Sequence, residues 1–169
     1  MKKIIIIMSI LILMICFYKT KEKYIIPTNS IRVRVIANSN NIEDQLKKVK
    51  VKNEVEEILY KKLNKVTSIE EARTIINDSI PIIETEIKTI TNNDFKINYG
   101  ENYFPEKEIY GISYKEGNYE SLVIDLGKAK GKNWWCVLFP PICMIEAKDN
   151  DKNNIEYKSK VLEIIKEYS

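Results

Sequence analysis

The sequence predicts an α+β fold, a single domain in which a small mixed or antiparallel sheet packs against two to three helices after an N-terminal apolar leader. Three observations predict it. Short segments, residues 31–36 first among them, alternate apolar and polar residues, the period of a strand with one buried face. Two longer stretches repeat apolar residues every three or four positions, as a helix with one buried face does. The chain of 169 residues, less its leader, has length for one hydrophobic core.

Taken in order, residues 4–18 are apolar apart from Ser9 and follow Lys2 and Lys3, the layout of a signal peptide. As a helix the run reaches about 22 Å, short of a bilayer core of about 30 Å. Lysines flank it on both sides and no clear small-residue cleavage site follows, so residues 1–23 are a signal peptide or a membrane anchor. Leu13-Met14-Ile15-Cys16 is similar to a lipoprotein box, but bulky Ile15 stands where that signal needs a small residue. Residues 19–30 are polar overall and contain Pro27, so they read as a tether, with residues 24–30 as the linker and the domain in residues 31–169.

Residues 31–36 are the first strand, with its charged positions on the open face. Residues 37–41 supply a turn, and Asn40 with Glu43 forms a capping box for a first helix. Its buried stripe is expected at Ile42, Leu46, Val49, Val55, Ile58, Leu59 and Leu63. Ser68 with Glu71 opens a second helix over Ala72, Ile75, Ile76 and Ile80, which Pro81 kinks or divides before about Ile90. Residues 94–99 form a strand ended by Gly100, and a second extended piece covers 108–114. A turn at Glu116-Gly117-Asn118 leads into a strand over 121–126, which could pair with it as a hairpin. After the basic stretch 127–133 comes Trp134-Trp135-Cys136-Val137-Leu138-Phe139-Pro140-Pro141, a strand with a proline stop. Residues 155–168 form a C-terminal helix.

Charge and residue usage exclude several functions. The first 23 residues hold five lysines and one glutamate, leaving 22 cations against 23 anions, so the domain carries about −1 and lacks the clustered positive surface of a nucleic-acid binder. The chain contains no histidine, which removes Ser-His and Cys-His pairs and the commonest zinc ligand sets. No catalytic set, cofactor motif or metal-ligand spacing is present in the pattern. Asp94 and Asp125 occupy unrelated strand contexts, with solvated or turn-forming roles. Cys136, among Trp135, Val137 and Leu138, has no neighbouring base and suits a structural role. In an exported domain Cys136 and Cys143 either close a short disulfide or are two small buried residues. Adjacent Trp134 and Trp135 cannot face one core in an extended chain, so one of them is expected to be exposed or close to a partner.

Two blocks are specific enough to carry a resemblance. The first is Ile31-Arg32-Val33-Arg34-Val35-Ile36-Ala37-Asn38-Ser39-Asn40, followed by Asp44-Gln45. The second runs from Gly127-Lys128-Ala129-Lys130-Gly131-Lys132-Asn133 through Trp134-Trp135-Cys136-Val137-Leu138-Phe139-Pro140-Pro141-Ile142-Cys143. The chain resembles the stage II sporulation protein R family over about residues 31–143. It departs from the family's usual His and Asp at Arg34 and Asn40, which argues against an essential charge role there. The resemblance implies export from the forespore into the space between the septal membranes. It also implies activation there of a membrane-embedded aspartic protease that processes the precursor of sigma-E in the mother cell. Under it the protein binds rather than breaks bonds, with no small-molecule substrate, nucleic acid or cofactor. Asn38, Ser39, Asn133, Trp134, Trp135, Phe139 and Pro140 would make or shape the contact surface, although Asn38 and Ser39 also suit a simple helix cap. Two other readings stand beside it: an envelope-anchored structural protein, and a cell-wall enzyme using acids such as Asp125.

Overall fold

Alternation and helical periodicity resolve, in a computed structural model describing residues 24–25, 29–92, 94–109, 112–142 and 163, into seven strands and two long helices. The strands are β1 (Tyr24–Ile25), β2 (Ile31–Ile36), β3 (Phe95–Phe104), β4 (Lys107–Ile109), β5 (Ile112–Tyr114), β6 (Gly117–Leu126) and β7 (Asn133–Phe139). The helices are α1 (Ile42–Leu63) and α2 (Ile69–Ile90), both between β2 and β3. The main sheet has the order β3-β6-β2-β7, with β2 parallel to β6 and the other pairs antiparallel, and β1, β5 and β4 form a second small sheet. The fold is therefore α+β with a mixed sheet, as the sequence predicts.

The core follows from the period of two. Ile31, Val33 and Val35 of β2, Leu122, Ile124 and Leu126 of β6, and Cys136 and Leu138 of β7 are buried with Val51, Val55, Leu59 and Leu63 of α1 and Ala72, Ile76, Ile83 and Ile87 of α2. Helix α2 starts at Ser68, whose side chain accepts from the Glu71 amide at 3.1 Å. It is one helix through Pro81, without the division that a proline allows. Pro81 is exposed, so its ring and its missing donor fall on the solvent side of the helix.

Several boundaries move. Strand β3 continues past Gly100 to Phe104 because β6 pairs with it residue by residue as far as Gly117. The 108–114 piece is a hairpin of two short strands, and the partners of β6 are β3 and β2. Within residues 24–30, Tyr24–Ile25 form β1, which pairs with β5. The cap of α1 is Asn41, accepting from the Asp44 amide at 2.7 Å, one residue later than the Asn40–Glu43 box. Asn40 is otherwise engaged: its side-chain oxygen accepts from the Lys132 amide at 2.7 Å.

The phase of α1 also differs from expectation. Ile42, Leu46 and Val49 are 81%, 58% and 46% exposed, while Asp44, Lys48 and Val51 turn inward. The stripe 44, 48, 51, 55, 59, 63 is continuous at helical spacing and ends in Val55, Leu59 and Leu63. The stripe starting at Ile42, Leu46 and Val49 runs on to Asn53 and Glu57. Burial of the C-terminal half fixes the rotation, and Asp44 and Lys48 are carried inward with it. The leader, Cys16, Cys143 and the C-terminal helix predicted over 155–168 lie outside the described residues, Glu163 excepted.

Candidate functional site

Parallel pairing of β2 with β6 and antiparallel pairing with β7 bring the end of β2 beside the loop between β6 and β7. The turn 38–41 and the loop 127–132 are thereby stitched together. The Lys128 amide donates to Asn38 Oδ1 at 2.9 Å, the Lys132 amide to Asn40 Oδ1 at 2.7 Å, the Gly131 amide to the Ala37 carbonyl at 2.8 Å, and the Lys130 amide to the Asn38 carbonyl at 3.2 Å. Each bond satisfies a backbone group that a turn leaves without a ladder partner. The glycines are set by this contact. Gly127 has φ of 57°, the left-handed region, and a Cβ there would strike Asn38 Oδ1; a Cβ on Gly131 would strike the Ser39 carbonyl and lie 2.9 Å from the Ala37 Cβ.

Asp44 is the hub beneath the turn. Its Oδ2 accepts from Ser39 Oγ at 2.6 Å and from Asn38 Nδ2 at 2.8 Å. Those bonds, Ser39 foremost and then Asn38, hold the carboxyl below the usual carboxylate range. Gln45 Nε2 donates to the Ser39 carbonyl at 2.8 Å. Lys48 Nζ donates to Gln45 Oε1 at 2.7 Å and to the Lys132 carbonyl at 3.3 Å. Burial, with Lys132 nearby, pushes the Lys48 ammonium below its ordinary range. Asn38 and Ser39 are thus half-buried parts of an internal network that shapes the surface, and Asn133, at the start of β7, is exposed.

Alternation sends the two tryptophans to opposite faces, as their adjacency requires, one half-buried and the other buried. Trp134 lies opposite Val35, half-buried against the core, with Lys52 Nζ 5.3 Å from its ring centroid. Trp135 lies opposite Arg34 and is 4% exposed. Of the two, Trp134 keeps part of its surface open and Trp135 does not. Phe139 and Pro140 are buried too, joined by a cis peptide bond. Cys136 is buried on the helix side of β7, and its pairing with Cys143 involves a residue outside those described.

The second face of β2 holds a residue the sequence reading assigned to the open side. Arg32 is fully buried, its guanidinium carbon 3.3 Å from the Tyr119 ring centroid and 5.2, 5.9 and 5.3 Å from those of Phe104, Tyr114 and Trp135. The rings meet edge to face, Trp135 with Phe104 at 5.4 Å and with Tyr114 at 5.0 Å. None of its three guanidinium nitrogens has a hydrogen-bond partner among the described residues, and burial lowers its pKa, with Tyr119 opposing. The signal that could have found it is the run of aromatic residues in 103–119, too many for a solvated hairpin.

Helix α2 is tied to the sheet by a third group. Arg73 Nη2 and Nε donate to Glu120 Oε2 at 2.9 and 3.0 Å, and Tyr99 Oη donates to Glu120 Oε1 at 2.6 Å. Burial acts to raise the Glu120 carboxyl, but the bonds from Arg73 and Tyr99 outweigh it and leave the group lowered. Burial, then Glu120, pushes the Tyr99 hydroxyl up. Of the acids weighed for catalysis, Asp125 lies opposite Lys96 on β3. Asp94 lines a shallow depression with Glu84, Lys88, Thr91, Asn92 and Phe95, and Asp125 does not. Among the described residues no group of three or more Cys, Asp or Glu could hold a metal ion, and no helix is long and apolar enough to cross a membrane.

Comparison with known proteins matches the sequence to one family. The model of the family described as stage II sporulation protein R matches residues 27–149. The chain is 36% identical over 130 residues to stage II sporulation protein R of Bacillus subtilis (strain 168), an alignment covering 74% of this chain and 58% of that protein. The chain thus spans a little over half the length of the relative it matches. No solved structure matches.

Proposed function

The chain belongs to the stage II sporulation protein R family, and from that sporulation role we propose that it is an exported activator, a protein that switches on a membrane-embedded aspartic protease by binding it. In this reading the apolar leader at residues 4–18 carries the domain out of the forespore into the space between the septal membranes. There the domain favours the active state of the protease that processes the precursor of sigma-E. A ligand shifts such an equilibrium only by binding one state better than the other, so the work belongs to a shaped surface and not to a reactive group.

The observation that supports this best is the joining of the two blocks that carry the family likeness. Ninety residues separate Asn38 from Lys128, and ninety-two separate Asn40 from Lys132, yet each pair is hydrogen-bonded directly. Hydrogen bonding there consumes the side chains of Asn38, Ser39, Asn40 and Asp44 in building one rigid edge. Residues spent in this way suit a fixed binding surface.

Co-expression of the full chain with the protease and its precursor substrate in a non-sporulating host tests the proposal. Cleaved precursor that depends on the full chain is the expected result. Absence of cleavage with all three proteins present and membrane-inserted would contradict direct activation.

A further inference from the structure

The first turns of α1 invert the usual arrangement of an amphipathic helix. Two charged residues, Asp44 and Lys48, face inward, and three aliphatic residues, Ile42, Leu46 and Val49, face outward at i, i+4 and i+7. That is the spacing with which a helix lays anchors into a groove. Around this stripe the charge is one-sided. Residues 42–50 and 127–133 contain six lysines and two acids; with inward-facing Asp44 and Lys48 and the Glu43–Lys47 ion pair set aside, Lys50, Lys128, Lys130 and Lys132 remain, on a domain whose net charge from Tyr24 onward is about −1. Lys50, Lys128, Lys130 and Lys132 are exposed, and the loop holding the last three is bonded to the turn that leads into Ile42.

We propose that the Ile42–Leu46–Val49 face of α1, which follows directly on the turn bonded to the lysine-bearing 127–132 loop, docks into an apolar groove rimmed with carboxylates on the exported side of the protease. The inference rests on the activator reading above and names the surface that does the activating. Charge and composition select this occupant over the others. A second copy of the chain in a two-fold contact would set lysines against lysines. The chain's own segment 143–169 has six acids and five lysines, too even a balance to complement the patch. A lipid interface favours Trp and Tyr at the contact, whereas Trp135, Tyr114 and Tyr119 are buried elsewhere.

Leu46→Glu and Val49→Glu in the full chain, co-expressed with protease and precursor, test it against Ile82→Glu, which changes an aliphatic residue 45% exposed on α2. Binding of the detergent-solubilised protease by the purified chains is measured in parallel, with their melting temperatures. The wild type and Ile82→Glu should bind and drive processing, while Leu46→Glu and Val49→Glu melt as the wild type does and bind roughly 10- to 100-fold more weakly, the range for losing one buried aliphatic anchor. If Leu46→Glu lowers the melting temperature, Lys128→Glu with Lys130→Glu replaces it and should weaken binding in the same direction. Full processing by these variants overturns the inference and leaves the activator reading standing; no processing by the wild type removes the activator reading itself. Binding of the wild type to phosphatidylglycerol–phosphatidylcholine vesicles that Leu46→Glu abolishes assigns the face to lipid and overturns the proposal. So does a concentration-dependent dimer that Leu46→Glu abolishes, or faster hydrogen exchange over 155–168 in that variant, which would make the chain's own C-terminal segment the occupant.

Discussion

Gly131→Ala should cost far more than its single methyl group suggests. The added Cβ would meet backbone, the Ser39 carbonyl, with the Ala37 Cβ 2.9 Å away, so no flexible side chain can swing clear. Either the loop or the turn must retreat, and the bonds at stake are Gly131 to the Ala37 carbonyl at 2.8 Å and Lys132 to Asn40 at 2.7 Å. Overpacking costs about 1–3 kcal/mol, and each lost hydrogen bond about 1 kcal/mol more, so the expected loss is about 2–4 kcal/mol. With a urea dependence of about 2 kcal/mol per molar, the unfolding midpoint falls by about 1–2 M. Equilibrium urea unfolding of the purified wild type and variant, followed by tryptophan fluorescence, measures it. Gly127→Ala should lose stability as well, because its φ of 57° alone costs about 1–2 kcal/mol and its Cβ would strike Asn38 Oδ1. A Gly131→Ala midpoint within experimental error of the wild type would show that the 37–41 turn and the 127–132 loop are not held at this distance, and the reasoning for a joined edge would fail.

Other outcomes follow from the same geometry. Arg32→Met should leave stability within about 1 kcal/mol of the wild type or raise it, because a buried guanidinium without hydrogen-bond partners loses more by desolvation than its four rings return; Arg32→Ala should lose about 2–5 kcal/mol to the void among them. Calorimetric melting separates these, and a large loss in Arg32→Met would overturn the ranking. Asp44 has its carboxyl lowered by Ser39 and then Asn38, so its contribution is complete above the unfolded aspartate pKa of about 3.9 and is lost as pH falls through the lowered folded value. Asp44→Asn should be less stable than the wild type at neutral pH, with the gap closing on acidification below that range; a gap independent of pH would contradict it. Tyr99→Phe removes the donor to Glu120 Oε1, and chemical unfolding should show a loss of about 1 kcal/mol, with the wild-type phenol titrating above the ordinary tyrosine range by ultraviolet absorbance.

Much of the architecture was readable because burial and period agree where only one face matters. Residues 31–36 form β2, Ser68 caps α2, and 121–126 supply the buried run of β6, as local pattern indicates. Pattern failed where two faces are covered or where a distant segment competes. Arg32 looked like a solvent-facing charge because nothing local reveals that Phe104, Tyr114, Tyr119 and Trp135, from four other strands or their ends, close over it. Asn40 looked like a cap because nothing local reveals that Lys132 claims its oxygen. Ile42, Leu46 and Val49 looked like core because a short window cannot tell which of two helical stripes stays apolar over the next three turns. At the candidate site, Asn38 and Ser39 were found from the sequence and Asp44 was quoted within its block. The role of Asp44 as the group binding the other two, and of Gly131 as the point of closest approach, depends on a contact across some ninety residues.

The most direct test uses purified components: the protease and its precursor reconstituted in vesicles, with this protein added from outside in increasing amount. Cleavage should rise and saturate as the protein binds the protease, the protein itself remaining intact, and precursor mixed with this protein alone should stay whole. Cleavage by this protein without the protease, or a reconstituted, active protease indifferent to its addition, would contradict the account.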